Sequence, residues 1–287
     1  MGKADRNKSQ SARARIAEQQ AAQRKAEKRR RTLAVSGVGA VLLVVIVVII
    51  VAAVASSNKP KQATATNGPL PAGVQADLTV PASTLAKVGA GAALPGAIRP
   101  ATGTALVSGG KPEMLYIGAE WCPYCAAERW AMAVALSRFG TFSPLRGIHS
   151  SATDVYPNTA TLTFYGATYT SKYLVFTPVE NQDINHNPLQ KPTPAQQAIW
   201  NKYDPSNGYP FIDIGNRFIA GTTYDPQILH GLTWSQIAAN LHDPASPVAQ
   251  GAVGSANLIT AAICKITGNL PANVCTTAPV RALEGQI

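Results

Sequence analysis

The sequence predicts an α/β domain preceded by a single membrane-spanning helix. A compact apolar run at residues 114–118 is followed closely by a helix-forming stretch at 123–139. Two further apolar runs, 211–214 and 217–220, flank a Gly-Asn turn. Strands that alternate with helices are typical of the α/β class. Upstream of all these runs, residues 33–55 carry no charge, which predicts the membrane span.

Most of the basic charge lies at the N-terminus. The chain has 287 residues and a formal net charge of +10, and residues 1–31 hold 11 Lys or Arg against three acidic residues. The rest of the chain is therefore nearly neutral. Membrane topology and attraction to anionic lipid account for a basic segment of this kind. We accordingly predict the lipid bilayer as a partner and no nucleic acid.

The uncharged stretch is long enough to cross a bilayer. Its 23 residues, 33–55, would form a helix of about 34 Å. Arg29, Arg30 and Arg31 stand just before it, so the positive-inside rule places residues 1–31 in the cytoplasm and residues 56–287 outside. We predict a single-pass protein of the cell membrane with the span at 32–55. The alternative is a signal peptide cleaved after residues 53–55, Ala-Val-Ala.

The chain beyond the span divides into a linker and one domain. Residues 56–76 are rich in Pro, Thr, Ala and Gly without an apolar period, which predicts a flexible linker. Residues 77–287 are enough to bury a core as one extracytoplasmic domain with a C-terminal helical extension.

Apolar runs and helix signals predict the elements of this domain in order. They are a short helix at 78–88, a loop at 89–110, a strand at 114–118, a helix at 123–139, strands at 145–150 and 173–176, a proline-rich insert at 178–210 with a helix near 195–203, strands at 211–214 and 217–220, and helices at 233–241 and 248–267.

Two of the four cysteines stand where a strand gives way to a helix. Cys122, Pro123, Tyr124 and Cys125 follow the run at 114–118, which places Cys122 near the helix N-cap and Pro123 at the first helical position. Free N–H groups and the positive end of the helix dipole favour a thiolate there. We predict Cys122 as a nucleophile and Cys125 as the resolving thiol.

A zinc site and a purely structural disulfide are the other roles open to Cys122 and Cys125. A zinc site would need a second close pair, and Cys264 and Cys275 are too far apart in sequence for one. A purely structural bridge between Cys122 and Cys125 would close too short a loop to gain much entropy. We predict no metal site. For Cys264 and Cys275 we predict a structural disulfide, with a second redox pair as the alternative.

Two segments resemble the thioredoxin superfamily. Residues 119–125, Ala-Glu-Trp-Cys-Pro-Tyr-Cys, are similar to its active-site segment, and residues 208–216 are similar to the strand hairpin that carries its cis-proline. Residues 116–130 and 169–173 more closely resemble an uncharacterised family of membrane-anchored thioredoxin-like proteins, catalogued as a domain of unknown function. The resemblance covers roughly residues 77–267. It implies a thioredoxin-like fold with a long insertion between Cys125 and Pro210.

The resemblance also implies roles for single residues. Pro210 would be the cis-proline that shapes the substrate groove, and the backbone of Tyr209 would pair with an incoming peptide. Trp121 and Tyr124 would contact the substrate, with surface packing as the alternative for Trp121. Thioredoxins carry a buried carboxylate six residues before the first cysteine, where this chain has Tyr116.

That departure bears on the proton of the resolving thiol. With no carboxylate at that position, proton transfer would fall to Glu120, to water or to no specific group. The predicted activity is thiol-disulfide exchange with protein cysteines, and a redox partner would recycle the site. We predict no cofactor. The alternative is a non-catalytic thioredoxin-like interaction module at the cell surface.

Overall fold

Residues 68–287, which the computed structural model describes, form a mixed α/β fold with eleven strands. They are β1 (Gly68–Pro69), β2 (Ile98–Pro100), β3 (Val107–Ser108), β4 (Lys111–Ala119), β5 (Gly140–Phe142), β6 (Arg146–His149), β7 (Ala160–Thr163), β8 (Tyr169–Ser171), β9 (Val175–Gln182), β10 (Phe211–Ile214) and β11 (Phe218–Ala220).

Seven α-helices alternate with and follow these strands in the same part of the chain. They are α1 (Ala82–Val88), α2 (Pro123–Leu136), α3 (Pro194–Tyr203), α4 (Trp234–Leu241), α5 (Gly254–Ile266), α6 (Ala272–Cys275) and α7 (Ala278–Glu284), with 3-10 turns at Ala76–Leu78 and Pro226–Leu229 and a π-helical segment at Ala249–Val253 that leads into α5.

Strand β4 is the centre of the largest sheet. The strand order is β2-β11-β10-β4-β3, and β9 also pairs with β4. Strand β9 runs parallel to β4, whereas β10 runs antiparallel with Phe211 opposite Ile117. Two smaller sheets, β1-β6-β7 and β5-β8, complete the described strands.

Both faces of the central sheet are covered. Met114 and Tyr116 point into the larger core, which also holds residues of α2 and α5. Leu115 and Ile117 point to the opposite face, into a smaller core with Trp200 of α3. Because side chains alternate along a strand, burial on both faces produces the continuous apolar run from which β4 was predicted.

Helix α2 is buried along almost its whole length. It begins at Pro123, with Cys122 as the N-cap, as the sequence predicted. Trp130 and Val134 belong to the core, and the Trp130 indole N–H donates to the Ala160 carbonyl at 3.1 Å. Every residue of α2 except Tyr124 is buried, so the helix is held firmly in the core.

Strand β9 corrects one prediction. The apolar run at 173–176, with Pro178 after it, predicts a strand that ends at Phe176, but β9 runs from Val175 to Gln182 and Pro178 lies opposite Tyr116 in the ladder. Strand β9 pairs with β4 alone among the described strands, so it is an edge of the sheet. An edge strand accommodates a proline because half of its N–H groups have no strand to bind.

The domain also begins earlier than predicted. Residues 68–76 were assigned to the flexible linker, but Gly68 and Pro69 pair with β6, and Val74 is 1% exposed. The Gln75 side chain binds the backbone of residues 142–145. Similarly, the segment 89–110 predicted as a loop contains β2 and β3. These strands are too short to produce an apolar period.

The predicted N-terminal segments lie outside the described residues. This applies to the basic segment 1–31, the span 32–55 and linker residues 56–67. Among residues 68–287, no helix is long and apolar enough to cross a membrane.

The C-terminal helices are tied together by a disulfide. Cys264 of α5 and Cys275 of α6 are bonded, with Cα atoms 5.4 Å apart, and both are buried. The predicted pairing of these two cysteines is confirmed.

Candidate active site

The two remaining cysteines lie at the carboxyl end of β4, at the start of α2. Cys122 has an extended backbone (φ −73°, ψ 121°), which turns its Sγ back over the first helical turn. There the backbone N–H of Cys125 donates to the Cys122 Sγ at 3.2 Å. Both residues are free thiols, Cys122 being 3% exposed and Cys125 fully buried. The N-cap position predicted for Cys122 is confirmed.

The two thiols are electrostatically unequal. Hydrogen bonding from the Cys125 thiol outweighs burial and, with the helix N–H groups and Arg129, lowers the pKa of Cys122. Burial, followed by the neighbouring Cys122, raises the pKa of Cys125 well above its ordinary value. The pair therefore contains one thiol that ionises readily and one that holds its proton.

Tyr209 and Pro210 lie beside the pair, as the resemblance implied. Because β10 runs antiparallel to β4, the start of β10 is next to the end of β4. The Tyr209–Pro210 peptide bond is cis. The Tyr209 ring packs on the cluster formed by Ala119, Cys122 and Cys125.

Trp121 lies on the same side of the cysteine pair as Tyr209. Its ring packs edge-to-face on Tyr209, with centroids 6.0 Å apart, and stacks on His186 at 4.4 Å. Its indole N–H donates to the Gln182 side chain at 2.9 Å. Trp121 also contacts the cysteine cluster, so these aromatic rings form a wall along it.

Tyr124 faces outward from the first turn of α2. Its side chain is 38% exposed, and it packs edge-to-face on Tyr156 with centroids 6.2 Å apart. The structure thus brings Trp121 and Tyr209 into contact with each other but gives Tyr124 a different neighbour.

A fully buried ion pair lies behind the cysteines. Arg129 of α2 donates from Nε to the Glu180 Oε1 at 2.8 Å and from Nη2 to the Oε2 at 2.7 Å. Both side chains have no exposed surface. Although burial opposes its charge, Glu180 keeps the pKa of Arg129 above its ordinary value. The pair joins α2 to β9.

Tyr116, which stands where thioredoxins carry a carboxylate, and Glu120, the expected proton-transfer group, have different surroundings. Tyr116 is fully buried, and its hydroxyl has no hydrogen-bond partner among residues 68–287. Its ring lies over Gly118, where an added Cβ would come within 2.0 Å of the hydroxyl. The Glu120 carboxyl instead accepts from the Thr163 hydroxyl at 2.6 Å, and burial raises its pKa. Glu120 is therefore engaged with β7.

Cys264 and Cys275 do not belong to the cluster around Cys122 and Cys125. No group of three or more His, Cys, Asp or Glu side chains that could hold a metal ion occurs within residues 68–287. Cys264 and Cys275 are bonded to each other in the C-terminal helices.

Several residues of the site were not singled out from the sequence. Arg129 offered a signal, because it follows Cys125 by four residues and so shares its helix face. Glu180, Gln182 and His186 come from the long segment between Cys125 and Pro210, where no motif marks them.

Comparison with known proteins places the chain in a family. Neither a curated protein nor a solved structure matches it. One family model, described as "Domain of unknown function (DUF929)", matches residues 100–265, which is more than half of the chain and includes Cys122, Cys125 and Pro210. The chain therefore belongs to the DUF929 family.

Proposed function

We propose that this chain is a membrane-anchored extracytoplasmic thiol-disulfide oxidoreductase acting on protein cysteines, with a thioredoxin-like fold. Cys122 is the nucleophile and Cys125 the resolving thiol. The observation that carries the proposal is the inequality of the two thiols. Hydrogen bonding from the Cys125 thiol, with the N–H groups of the first helical turn, lowers the pKa of Cys122, while burial raises that of Cys125.

The reaction balances with these two residues alone. In the reducing direction, Cys122 gives its proton to solvent, and the thiolate attacks one sulfur of a substrate disulfide. The substrate S–S bond breaks, one substrate thiol leaves, and a mixed disulfide joins Cys122 to the other half. Cys125 then loses its proton and attacks the Cys122 sulfur. The second substrate thiol leaves, and two electrons have passed from the dithiol to the substrate.

The surroundings of Cys122 favour an extended substrate. Cys122 has 3% of its surface exposed, and the rings of Trp121 and Tyr209 pack against the cluster that holds it. A folded surface would meet these rings first, whereas an extended segment carrying a cysteine fits beside them. The proline of the cis peptide, Pro210, shapes this groove.

The location of the reaction rests on the sequence. The uncharged stretch 32–55 and the arginines before it support a bilayer anchor with the cysteines on the outer side. That side is the compartment in which disulfides persist. The bonded Cys264 and Cys275 are consistent with an oxidising compartment. A second protein would return the Cys122/Cys125 pair to its starting redox state.

An insulin-reduction assay on the full chain tests the proposal. We expect Cys122→Ser to abolish dithiothreitol-coupled insulin reduction and Cys125→Ser to accumulate a mixed disulfide with substrate. The disulfide-null double variant Cys264→Ala/Cys275→Ala serves as the control and should remain active. Equal activity in the wild type and in Cys122→Ser would refute the enzyme and favour the non-catalytic interaction module. The reduction potential of the pair then assigns the direction of electron flow.

A further inference from the structure

Arg129 is the charged side chain directly behind the cysteine pair. It follows Cys125 by four residues on α2, so both side chains leave the same face of the helix. Its side chain has no exposed surface. A guanidinium in such a position is screened less by solvent than one at the surface, so its charge acts more strongly on neighbouring groups.

Three hydrogen bonds fix the guanidinium. Two of them go to the Glu180 carboxylate, and the third runs from Nη2 to the Ala119 carbonyl at 2.8 Å. Ala119 is the last residue of β4, three residues before Cys122. Arg129 is therefore held against both the strand end and the helix start that carry the sulfurs.

The positive charge acts on both thiols. After the hydrogen bond from Cys125 and the opposing effect of burial, Arg129 is among the influences that lower the pKa of Cys122. It also opposes the burial that raises the pKa of Cys125. The phenols that face the pair, Tyr116 from β4 and Tyr209 before β10, have pKa values raised by burial and are neutral.

Folding stability alone does not account for this ion pair. Removing two charges from water costs about as much as their attraction returns, and apolar residues of similar volume often stabilise as well. Moreover, the Arg129 Nη1 has no hydrogen-bond partner within the described part of the chain. The arrangement is thus incomplete as a structural bridge, yet it delivers a fixed positive charge beside the sulfurs.

We propose, building on the function proposed above, that Arg129 is a positioning residue that stabilises the Cys122 thiolate through its fixed positive charge. Glu180 holds the guanidinium in place and weakens its field at the sulfurs. In the step concerned, the Cys122 thiol gives its proton to solvent and leaves a thiolate, and no electron moves.

The test is the pH dependence of Cys122 alkylation in the reduced full chain. Iodoacetamide is the probe, and mass spectrometry locates the product. Arg129→Met removes the positive charge and should raise the midpoint of the profile by about one pH unit, which is tenfold less thiolate at a pH well below the midpoint. Glu180→Gln leaves the positive charge uncompensated and should lower the midpoint. Arg129→Lys retains a charge and should stay nearer the wild type than Arg129→Met.

The opposite signs distinguish the charge effect from a structural one. A purely structural role would move both variants the same way or neither, and either result overturns the proposal. Should Arg129→Met fail to fold, Glu180→Gln decides, since its midpoint must fall. Arg138→Met is the matched control, because Arg138 is a partly buried arginine that follows the end of α2, about 13 Å further from the cysteines than Arg129 along the helix direction. Its midpoint should equal that of the wild type.

Insulin reduction measured in parallel separates this proposal from the proposed function. Opposite shifts in a chain without reductase activity would support the role of Arg129 in thiolate stabilisation and refute the enzyme. Activity with unmoved midpoints would refute the role of Arg129 alone.

Discussion

Glu128 lies next to Arg129 on α2, yet its carboxyl has no cationic partner in the described structure. It is fully buried and accepts hydrogen bonds from the backbone N–H and the hydroxyl of Thr223. Burial outweighs these bonds and raises the pKa of Glu128 to about 8. Glu128 and Arg129 are adjacent on α2, but only Arg129 has an ion-pair partner that favours its charged form.

This shift predicts how stability depends on pH. Below pH 4.5 the Glu128 carboxyl holds a proton in both the folded and unfolded states, and between pH 4.5 and about 8 only the folded state keeps it. The free energy of unfolding should therefore fall as pH rises through this window, by up to about 5 kcal/mol. Burial of Asp213, with a pKa of about 6, acts in the same direction.

Urea denaturation at a series of pH values measures this slope. Glu128→Gln keeps an acceptor for Thr223 but cannot titrate, so its stability should vary much less between pH 5 and pH 8. A wild-type stability that rises over this range, or an unchanged slope in Glu128→Gln, would contradict the assignment.

At the scale of elements, segments with an apolar run or a helix-capping signal were predictable, and short strands without such a signal were not. Strand β4 and helix α2 follow from apolar composition and the proline at the first helical position. The helix at Trp234–Leu241 follows from Thr233 and Gln236, which form the capping box expected from their spacing. By contrast, β5 and β8 have three residues each and are held by their pairing, which no local period reveals.

The same limit applies to the candidate site. The positions of Cys122 and Cys125 follow from local sequence. Their environment does not, because Arg129 and Glu180 are 51 residues apart and meet only through the parallel pairing of β9 with β4. Pairing across such a distance depends on the whole sheet.

The disulfide between α5 and α6 gives a prediction for an element junction. Cys264 and Cys275 are separated by 11 residues, and a loop of that length should contribute about 3 kcal/mol by restricting the unfolded chain. We expect Cys264→Ala/Cys275→Ala to lose about that much stability in urea denaturation. Insulin reduction should be retained, because the bridge lies apart from Cys122. Loss of activity in a variant that remains folded would instead favour the second redox pair.

For the molecule as a whole, the sequence predicted the α/β class and missed where the domain starts. Residues 68–76 are rich in Pro, Gly and Ala without an apolar period, and this composition resembles a linker. The strand pairing of Gly68 and Pro69, however, extends the β6-β7 sheet, and Val74 enters the main core. The composition of residues 68–76 does not show whether they are ordered, because their order comes from packing on the rest of the domain.

Truncation tests this revised boundary. A chain that starts at residue 77 loses the buried Val74, worth about 1.5 to 3 kcal/mol. It also loses the hydrogen bonds between the Gln75 side chain and the backbone of residues 142–145, worth about 1 kcal/mol each. We expect it to be at least about 3 kcal/mol less stable in urea denaturation than a chain that starts at residue 68. The matched control starts at residue 56 and should equal the chain from residue 68. Equal stability of the chains from residues 77 and 68 would return residues 68–76 to the linker.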